Sequence, residues 1–215
     1  MKPTARDYSL IGRDTVRAEE SGLAAAEWYA CPIERKHLKD LMKRSDGPAL
    51  RDTAIWFAAL ILSAAGGIYF WGSWWAVPFF IVYGVLYGSS SDSRWHEAGH
   101  GTMFRTRWMN DVLYYIASFM VLREPTVWRW SHTRHHTDTI IVGRDPEIAV
   151  PRPPDILGIL LNIFAIRNVK ALAVKLFHHV RGRLLEEEKT YIPEMERPRV
   201  YVVARVYVAI YLAVL

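Results

Sequence analysis

Five of the eight histidines fall in two short clusters whose spacing suits metal binding. Box one is His96 and His100, and box two is His132, His135 and His136. On a helix, positions i, i+3 and i+4 share a face, so each box can aim its imidazoles at one point. Neutral imidazole is a ligand for iron, zinc, copper and nickel. Five histidines exceed the three protein ligands of a typical catalytic zinc, which favours two metals.

Two other metal chemistries fit parts of this pattern. Box one with Glu97 also matches H-E-x-x-H, in which the glutamate is the general base of a zinc hydrolase. An intramembrane zinc metalloprotease is therefore the alternative, with Asp145 or Glu147 as third ligand and box two unused. A carboxylate di-iron bundle would use Glu-x-x-His pairs, which occur at Glu34 and Glu97. Glu34 lies in a polar segment, which disfavours that alternative.

The charges that surround these boxes are segregated along the chain. No Lys or Arg lies between positions 53 and 93, and the only acid there is Asp92. A charge in hydrocarbon costs several kcal/mol, so a bilayer requires such a gap. The gap exceeds the roughly 20 residues of one span and divides at residues 71–73. We predict two transmembrane helices, 54–70 and 74–87, joined by a tight turn. A buried hairpin of a soluble protein would show a polar stripe.

The flanks of this hairpin predict its orientation. Short segments rich in Lys and Arg stay cytoplasmic, and aromatic residues favour the membrane interface. Both flanks are basic, so the N-terminus and both boxes are expected in the cytoplasm of an integral membrane protein. The turn would face outward with its aromatic cluster: Tyr69, Trp71, Trp74 and Trp75. The net charge of +5 then reports orientation and gives no sign of nucleic-acid binding.

The remaining segments are shorter or polar. Apolar stretches at 112–122, 156–166 and 171–180 suit helices on the cytoplasmic surface. Residues 1–30 are expected to form a loosely ordered tail, and residues 32–44 a short interfacial helix. No cleavable signal peptide is expected, because residues 1–52 carry ten basic groups and no apolar core segment.

A further apolar run begins near Tyr201 and is interrupted by Arg205. Its uncharged part, 206–215, is half a span, and a polar backbone cannot end in hydrocarbon. We therefore expect the natural sequence to continue. The predicted fold class is all-α: a polytopic membrane protein with a transmembrane hairpin, cytoplasmic interfacial helices and the start of a further span. Its predicted domains are a cytoplasmic segment, 1–52, and a membrane domain, 53–215, incomplete at its C-terminus.

Composition excludes several other classes. A chain that is 51% hydrophobic is too apolar to be disordered. The single cysteine, Cys31, excludes an intrachain disulfide and a zinc or iron–sulfur site built from cysteines.

The sequence around the boxes resembles one known family. WHEAGHGT at 95–102, WMND at 108–111 and WSHTRHHT at 130–137 follow the predicted hairpin. This arrangement is similar to that of the membrane fatty acid desaturases and hydroxylases, over roughly residues 50–180.

The resemblance implies a di-iron centre on the cytoplasmic face. By this resemblance, its iron ligands include the five box histidines: His96, His100, His132, His135 and His136. Such a centre uses O2 and electrons from a ferredoxin, rubredoxin or cytochrome b5 type donor. It removes hydrogen from a lipid acyl or alkyl chain and leaves a double bond or a hydroxyl. Glu97 is expected to orient an imidazole, and Asp92 and Asp138 are expected either to do the same or to lie at the surface.

One departure from the family concerns its third box, H-x(2)-H-H, which has no match here. His178 and His179 lack the leading histidine, because Lys175 stands in its place. They are expected either to add one ligand or to form an interfacial pair. Without a third box, this 215-residue chain is expected to leave two iron sites incomplete.

Overall fold

The computed structural model describes residues 6–27, 29–89 and 94–214, and every regular element in these ranges is helical. Asp92 lies outside the described residues. The described α-helices are α1 Arg13–Glu20, α2 Arg35–Leu41, α3 Asp46–Tyr69, α4 Ala76–Gly88, α5 Arg94–Gly99, α6 Arg107–Met120, α7 Pro125–Asp138, α8 Ile156–Ile163, α9 Ile166–His179 and α10 Arg197–Val214. Short 3-10 helices are Leu23–Ala25, Glu188–Thr190 and Glu194–Glu196. The predicted all-α class is confirmed.

The chain forms two compact units. Cys31–Arg123 is one, and Met1–Ala30 with Glu124–Leu215 is the other. The first contains box one and the second contains box two. The division at residue 52 into a cytoplasmic segment and a membrane domain stays a prediction, since compactness alone does not define a functional domain.

The unit Cys31–Arg123 is built on the expected hairpin. Its α3 has 24 residues, which at 1.5 Å each is about 36 Å, enough for a hydrocarbon core of about 30 Å. Arg35–Tyr69 holds the one helix, among the described residues, that is long and apolar enough to cross a membrane by itself. The 13 residues of α4 are apolar but short. Trp71 and Trp74 are exposed in the turn between these helices.

Two adjacent glycines let the hairpin close tightly. A Cβ atom at Gly66 would collide with the Phe79 ring, and one at Gly67 would lie 2.8 Å from the Phe80 ring. Small residues allow this approach in an apolar medium, where packing drives helix association. The Trp56 indole N–H also donates to the Leu86 carbonyl at 3.0 Å. The two helices therefore pack closely at the glycines and share the Trp56–Leu86 hydrogen bond.

The unit that holds box two has its core around α7. Val127 of α7 packs with three apolar side chains from the later part of the chain: Leu184, Ile192 and Val200. The Glu124 carboxylate caps the helix by accepting from the Val127 amide. A carboxylate at this position satisfies an N–H that has no partner within the helix.

The later helices of this unit carry exposed apolar side chains. α8 and α9 correspond to the predicted surface segments and are bent by 85° across their junction. Together they are long and apolar enough to cross a membrane only if they are counted as one broken span. α10 contains the apolar run with Arg205, whose Nε donates to the Val180 carbonyl at 3.2 Å. The arginine thus binds the C-terminal end of α9, where cations are favoured.

The N-terminal residues correct one expectation. A loosely ordered tail was expected over residues 1–30, but residues 13–20 form α1 and its flanks bond to distant parts of the same unit. Its contacts include side-chain hydrogen bonds to distant residues, which a hydropathy pattern does not reveal. A helix predicted within residues 32–44 is observed as α2, and its place at a membrane interface stays a prediction.

Candidate metal centre

Box one stands on the short helix α5. The His96 and His100 Nε2 atoms are 3.1 Å apart. Two nitrogen atoms at this separation can both lie about 2.1 Å from one ion. Trp95 and Ala98 are buried, whereas His100 is exposed. The helix therefore buries its apolar residues and leaves both imidazoles pointing at one place.

The indole of Trp95 fixes the position of α5 against α6. Its Nε1 donates to the buried Ser118 hydroxyl at 3.0 Å. The Arg123 guanidinium lies 4.4 Å from the centre of the Trp95 ring, within the range of a cation–π contact. These contacts anchor the residue that directly precedes His96.

The loop after box one is tied to the start of α3. The Asp46 carboxylate accepts from the Thr106 amide at 2.9 Å and from its hydroxyl at 2.7 Å. These hydrogen bonds lower the pKa of Asp46, so the carboxylate stays ionised. Arg44 also donates to the Gly101 carbonyl. The start of the long helix thereby holds both ends of this loop.

Box two lies on α7, within the other unit. The His132 and His136 Nε2 atoms are 3.1 Å apart, as in box one. His132 is buried and stacks on the Trp128 ring with centroids 4.2 Å apart. His135 stacks on His132 with centroids 5.5 Å apart. The predicted helical face of three histidines is therefore present within box two.

Two carboxylates hold the outer nitrogen atoms of box two. Glu147 Oε2 lies 2.7 Å from His132 Nδ1, and Asp145 Oδ1 lies 2.9 Å from His135 Nδ1. A carboxylate accepts the Nδ1 proton, which fixes the tautomer and leaves the Nε2 lone pair for a metal. This donor set fits an imidazole-ligated metal ion. It is the arrangement expected when carboxylates support metal-binding histidines from behind.

The carboxylates are themselves firmly held. The Asp145 side chain is 1% exposed and accepts from the amides of Ile140 and Glu147, each at 2.8 Å. The Ser131 hydroxyl donates to Glu147 Oε1 at 2.7 Å. These bonds satisfy the buried oxygens and fix the direction in which each carboxylate presents its remaining acceptor.

The electrostatics of box two favour its metal-binding form. Burial would raise the pKa of Glu147, but hydrogen bonds from His132 and Ser131 outweigh it and lower that pKa. Desolvation, followed by the neighbouring His132, lowers the pKa of His136. Glu147 is thus an anion and His136 a neutral ring near pH 7. Neutral imidazole is the ligand state.

Sequence reasoning partly missed these supporting groups. It weighed Asp145 and Glu147 as zinc ligands or as residues of a surface turn, whereas they bind imidazoles at Nδ1. The signal was an acidic pair in a turn shortly after box two. The expectation for Asp138 is wrong, because its carboxylate accepts from Arg144 at 3.0 Å and pairs with Arg134 at 3.4 Å. Glu97 is exposed.

His179 matches neither expected role of the His178–His179 pair, which were an additional metal ligand and an interfacial pair. His179 is fully buried, and its Nε2 lies 2.7 Å from Glu188 Oε2. Glu188 also pairs with Lys175 at 3.4 Å. Burial would raise the pKa of Glu188, but its bonds to His179 and the charge of Lys175 lower it. The structure thus gives His179 a buried hydrogen bond to a carboxylate.

The chain is helical and carries paired histidines on α5 and α7, and the profile of the fatty acid desaturase family matches residues 72–215. The chain belongs to the fatty acid desaturase family. The predicted resemblance is therefore confirmed.

Individual relatives match a shorter part of the chain. An omega-6 fatty acid desaturase (endoplasmic reticulum isozyme 1) of Glycine max is 35% identical over 75 residues, 34% of this chain and 19% of the relative. An acyl-lipid (9+3)-(E)-desaturase of Dimorphotheca sinuata is 34% identical over 34% of this chain and 20% of the relative. A Δ12-acyl-lipid desaturase of Punica granatum is 33% identical over 34% and 19%. The aligned part spans about a fifth of these relatives. No solved structure is significantly similar.

Proposed function

We propose that the protein is a membrane-bound oxidoreductase that introduces a double bond, or a hydroxyl, into a lipid acyl chain. Two iron ions, held partly by the five box histidines, are its proposed cofactors, and O2 is its co-substrate. Family membership supports the class of reaction, and the names of the relatives support an acyl-lipid substrate. The observation that carries the metal proposal is the Nδ1 contact of His132 and His135 with carboxylates.

The reaction class needs a metal because its target bond is inert. Side-chain acids and bases do not take hydrogen from an unactivated C–H bond. Bound iron with O2 would supply the oxidising power for that step. The residues of this chain would provide ligands and hold them in one tautomer. An external one-electron donor of ferredoxin, rubredoxin or cytochrome b5 type is the proposed partner.

Each box has a distinct task in this proposal. His96 and His100 offer converging Nε2 atoms from α5. His132 and His136 do so from α7, and His135 is aligned with them by Asp145. The zinc metalloprotease alternative loses support, because it needs Asp145 or Glu147 as a ligand and both already bind imidazoles.

The proposed location is an integral membrane protein with its N-terminus and both boxes in the cytoplasm. The length of α3, its basic N-terminal flank and the exposed tryptophans of the following turn support it. In a Cys31→Ser background, a cysteine at Ser73 should react with an impermeant thiol reagent on intact cells, and one at Ser45 should not. The reverse pattern would refute the orientation.

The metal proposal is tested by elemental analysis of the full-length natural protein. About two irons per chain are expected, and His135→Ala should lower that content. His37→Ala is the matched control, because His37 lies on α2 outside both boxes and is exposed. One zinc per chain, unchanged by His135→Ala and lost with His100→Ala, would instead identify a metalloprotease. Desaturated or hydroxylated acyl products, detected by mass spectrometry of lipids, test the reaction.

A further inference from the structure

The N-terminal residues 6–20, termed the strap, contact the acidic loop, residues 143–147, within the same compact unit. The Thr15 hydroxyl lies 2.7 Å from the Gly143 carbonyl, to which it can donate. Arg144 donates to the Glu19 carboxylate at 2.5 Å. The strap thus binds two consecutive residues that directly precede Asp145.

Gly143 shows how close this approach is. A Cβ atom at Gly143 would lie 2.5 Å from the Thr15 backbone nitrogen. Gly143 also has a φ of +81°, a conformation that L side chains rarely adopt. Any side chain here would push the strap away from the loop and strain the loop backbone.

Further contacts hold the strap along its length. The Arg152 amide donates to the Tyr8 hydroxyl at 2.8 Å, beyond the far end of the acidic loop. The Ser9 hydroxyl donates to Glu187 at 2.7 Å. The Asp7 carboxylate accepts from the amides of Ser9 and Arg13, which fixes the bend before α1. The strap is therefore an ordered clamp on both sides of the loop.

The loop connects this clamp to the histidines. Asp145 and Glu147 accept from His135 and His132 at Nδ1. Arg144 bridges the strap to α7, because it donates to Asp138 as well as to Glu19. A shift of the loop would move both carboxylates away from the imidazoles that they orient.

We propose that the strap is a positioning element for the metal site, in which Thr15 and Glu19 hold the acidic loop so that Asp145 and Glu147 keep box two in its metal-binding tautomer. The inference rests on the proposed function, since it assumes that box two binds metal. Loss of groups that support metal ligands typically lowers metal affinity 10- to 100-fold. Loss of one hydrogen bond one step further out should have a smaller effect.

The first test removes one hydroxyl from the strap in the full chain. Co²⁺ alone is titrated into purified protein in detergent, and its visible absorption reports imidazole coordination. Thr15→Val should lower Co²⁺ affinity about three- to tenfold, the equivalent of one hydrogen bond. Thr15→Ser should restore it to within twofold, because it keeps the donor. A Thr15→Val affinity within twofold of the wild type would overturn the proposal.

A second variant acts on the loop side of the same contact. Gly143→Ala should lower Co²⁺ affinity by at least tenfold, because it adds both strain and a collision. Gly182→Ala is the matched control, since Gly182 has a φ of +72° and open space around its Cβ position. Equal losses in the two variants would show general strain and would overturn a specific role for the strap.

Coupling to Asp145 separates positioning from simple stabilisation. In an Asp145→Asn background, Thr15→Val should cause a smaller loss of Co²⁺ affinity than it does in the wild type, because only the route through Glu147 remains. A full, multiplicative effect would contradict the inference. His135→Ala distinguishes the two levels of proposal. If the wild type binds Co²⁺ and His135→Ala does not, but Thr15→Val is neutral, only the strap proposal fails. Absence of Co²⁺ binding by the wild type would reject both.

Discussion

In each box two histidines hold their Nε2 atoms 3.1 Å apart, but different contacts support the two boxes. Box one stands on a six-residue helix whose neighbouring indole is buried. Box two stands on a 14-residue helix, with carboxylates bound to two of its rings. Packing fixes where a backbone lies, whereas a hydrogen bond at Nδ1 fixes the tautomer and rotation of a ring. Damage to the supports of the two boxes should therefore show in different measurements.

The largest expected effect tests packing as the support of box one. Trp95→Ala should lower the free energy of unfolding by about 3–5 kcal/mol, because it removes a buried aromatic side chain. Trp108→Ala is the matched control, since Trp108 lies on α6 and is largely exposed. Thermal unfolding in detergent measures both. Similar losses of unfolding free energy in the two variants would show that packing of Trp95 is not a special support of box one.

The next effect concerns the start of the box-two helix and depends on pH. Burial raises the pKa of Glu124 to about 7, against the opposing hydrogen bonds from the Val127 and Thr126 amides. Because this folded-state pKa lies above the ordinary 4.5, the stability contributed by the protonated group is complete below about pH 4.5 and is lost as the pH rises through 7. A shift of this size corresponds to about 3 kcal/mol.

Glu124→Gln stays neutral at every pH and should escape that loss. Relative to the wild type, its free energy of unfolding should therefore rise by about 3 kcal/mol between pH 4.5 and pH 8. Melting curves at several pH values measure the difference. Glu186→Gln, at an exposed position, should show no such trend. A pH-independent difference for Glu124→Gln would contradict the raised pKa.

A third variant tests the carboxylate support of box two. Glu147→Gln should lower metal affinity about 10- to 100-fold, because a neutral amide is a weaker acceptor than a carboxylate and has one accepting oxygen for the two contacts with Ser131 and His132. Asp155→Asn changes a carboxylate in the same unit that caps α8, and it should leave metal affinity within about twofold. Competition with a chelator gives the affinity. An unchanged metal affinity in Glu147→Gln would show that this carboxylate does not support box two.

The smallest effect sharpens the comparison within box one. Ser118→Ala removes the acceptor of the Trp95 indole and should cost about 1 kcal/mol of stability. Ser63→Ala is a control in the same unit, because the buried Ser63 hydroxyl donates to the Leu60 carbonyl of its own helix. Differential scanning calorimetry can resolve the two. A larger cost at Ser63 would show that the indole bond contributes little.

The sequence was most informative where one local rule sufficed. The charge-free stretch predicted the hairpin, because burying a charge in hydrocarbon is costly whatever the tertiary fold. The spacing of His132, His135 and His136 predicted a shared helical face, because that depends only on helical geometry. The family resemblance rested on the same residues and is confirmed.

Prediction failed where the outcome depended on contacts distant in sequence. Asp145 and Glu147 lie in a turn, and nothing local says which histidine nitrogen atoms they meet. Asp138 was assigned by proximity in sequence, although two arginines compete for it. The strap was missed because its long-range hydrogen bonds come from hydroxyl and carboxylate groups, which a hydropathy pattern does not register. The metal-ligand roles of the five box histidines stay predictions.

The glycine pair of the hairpin bears on how the protein is made. Gly66 and Gly67 leave the ribosome before Phe79 and Phe80, the rings that cover them. The residues of α3 therefore emerge first, with the surface at these glycines uncovered, and those of α4 follow with the rings that cover it. Translation from the N-terminus therefore makes the glycine surface of this helix pair before the phenylalanine rings that pack on it.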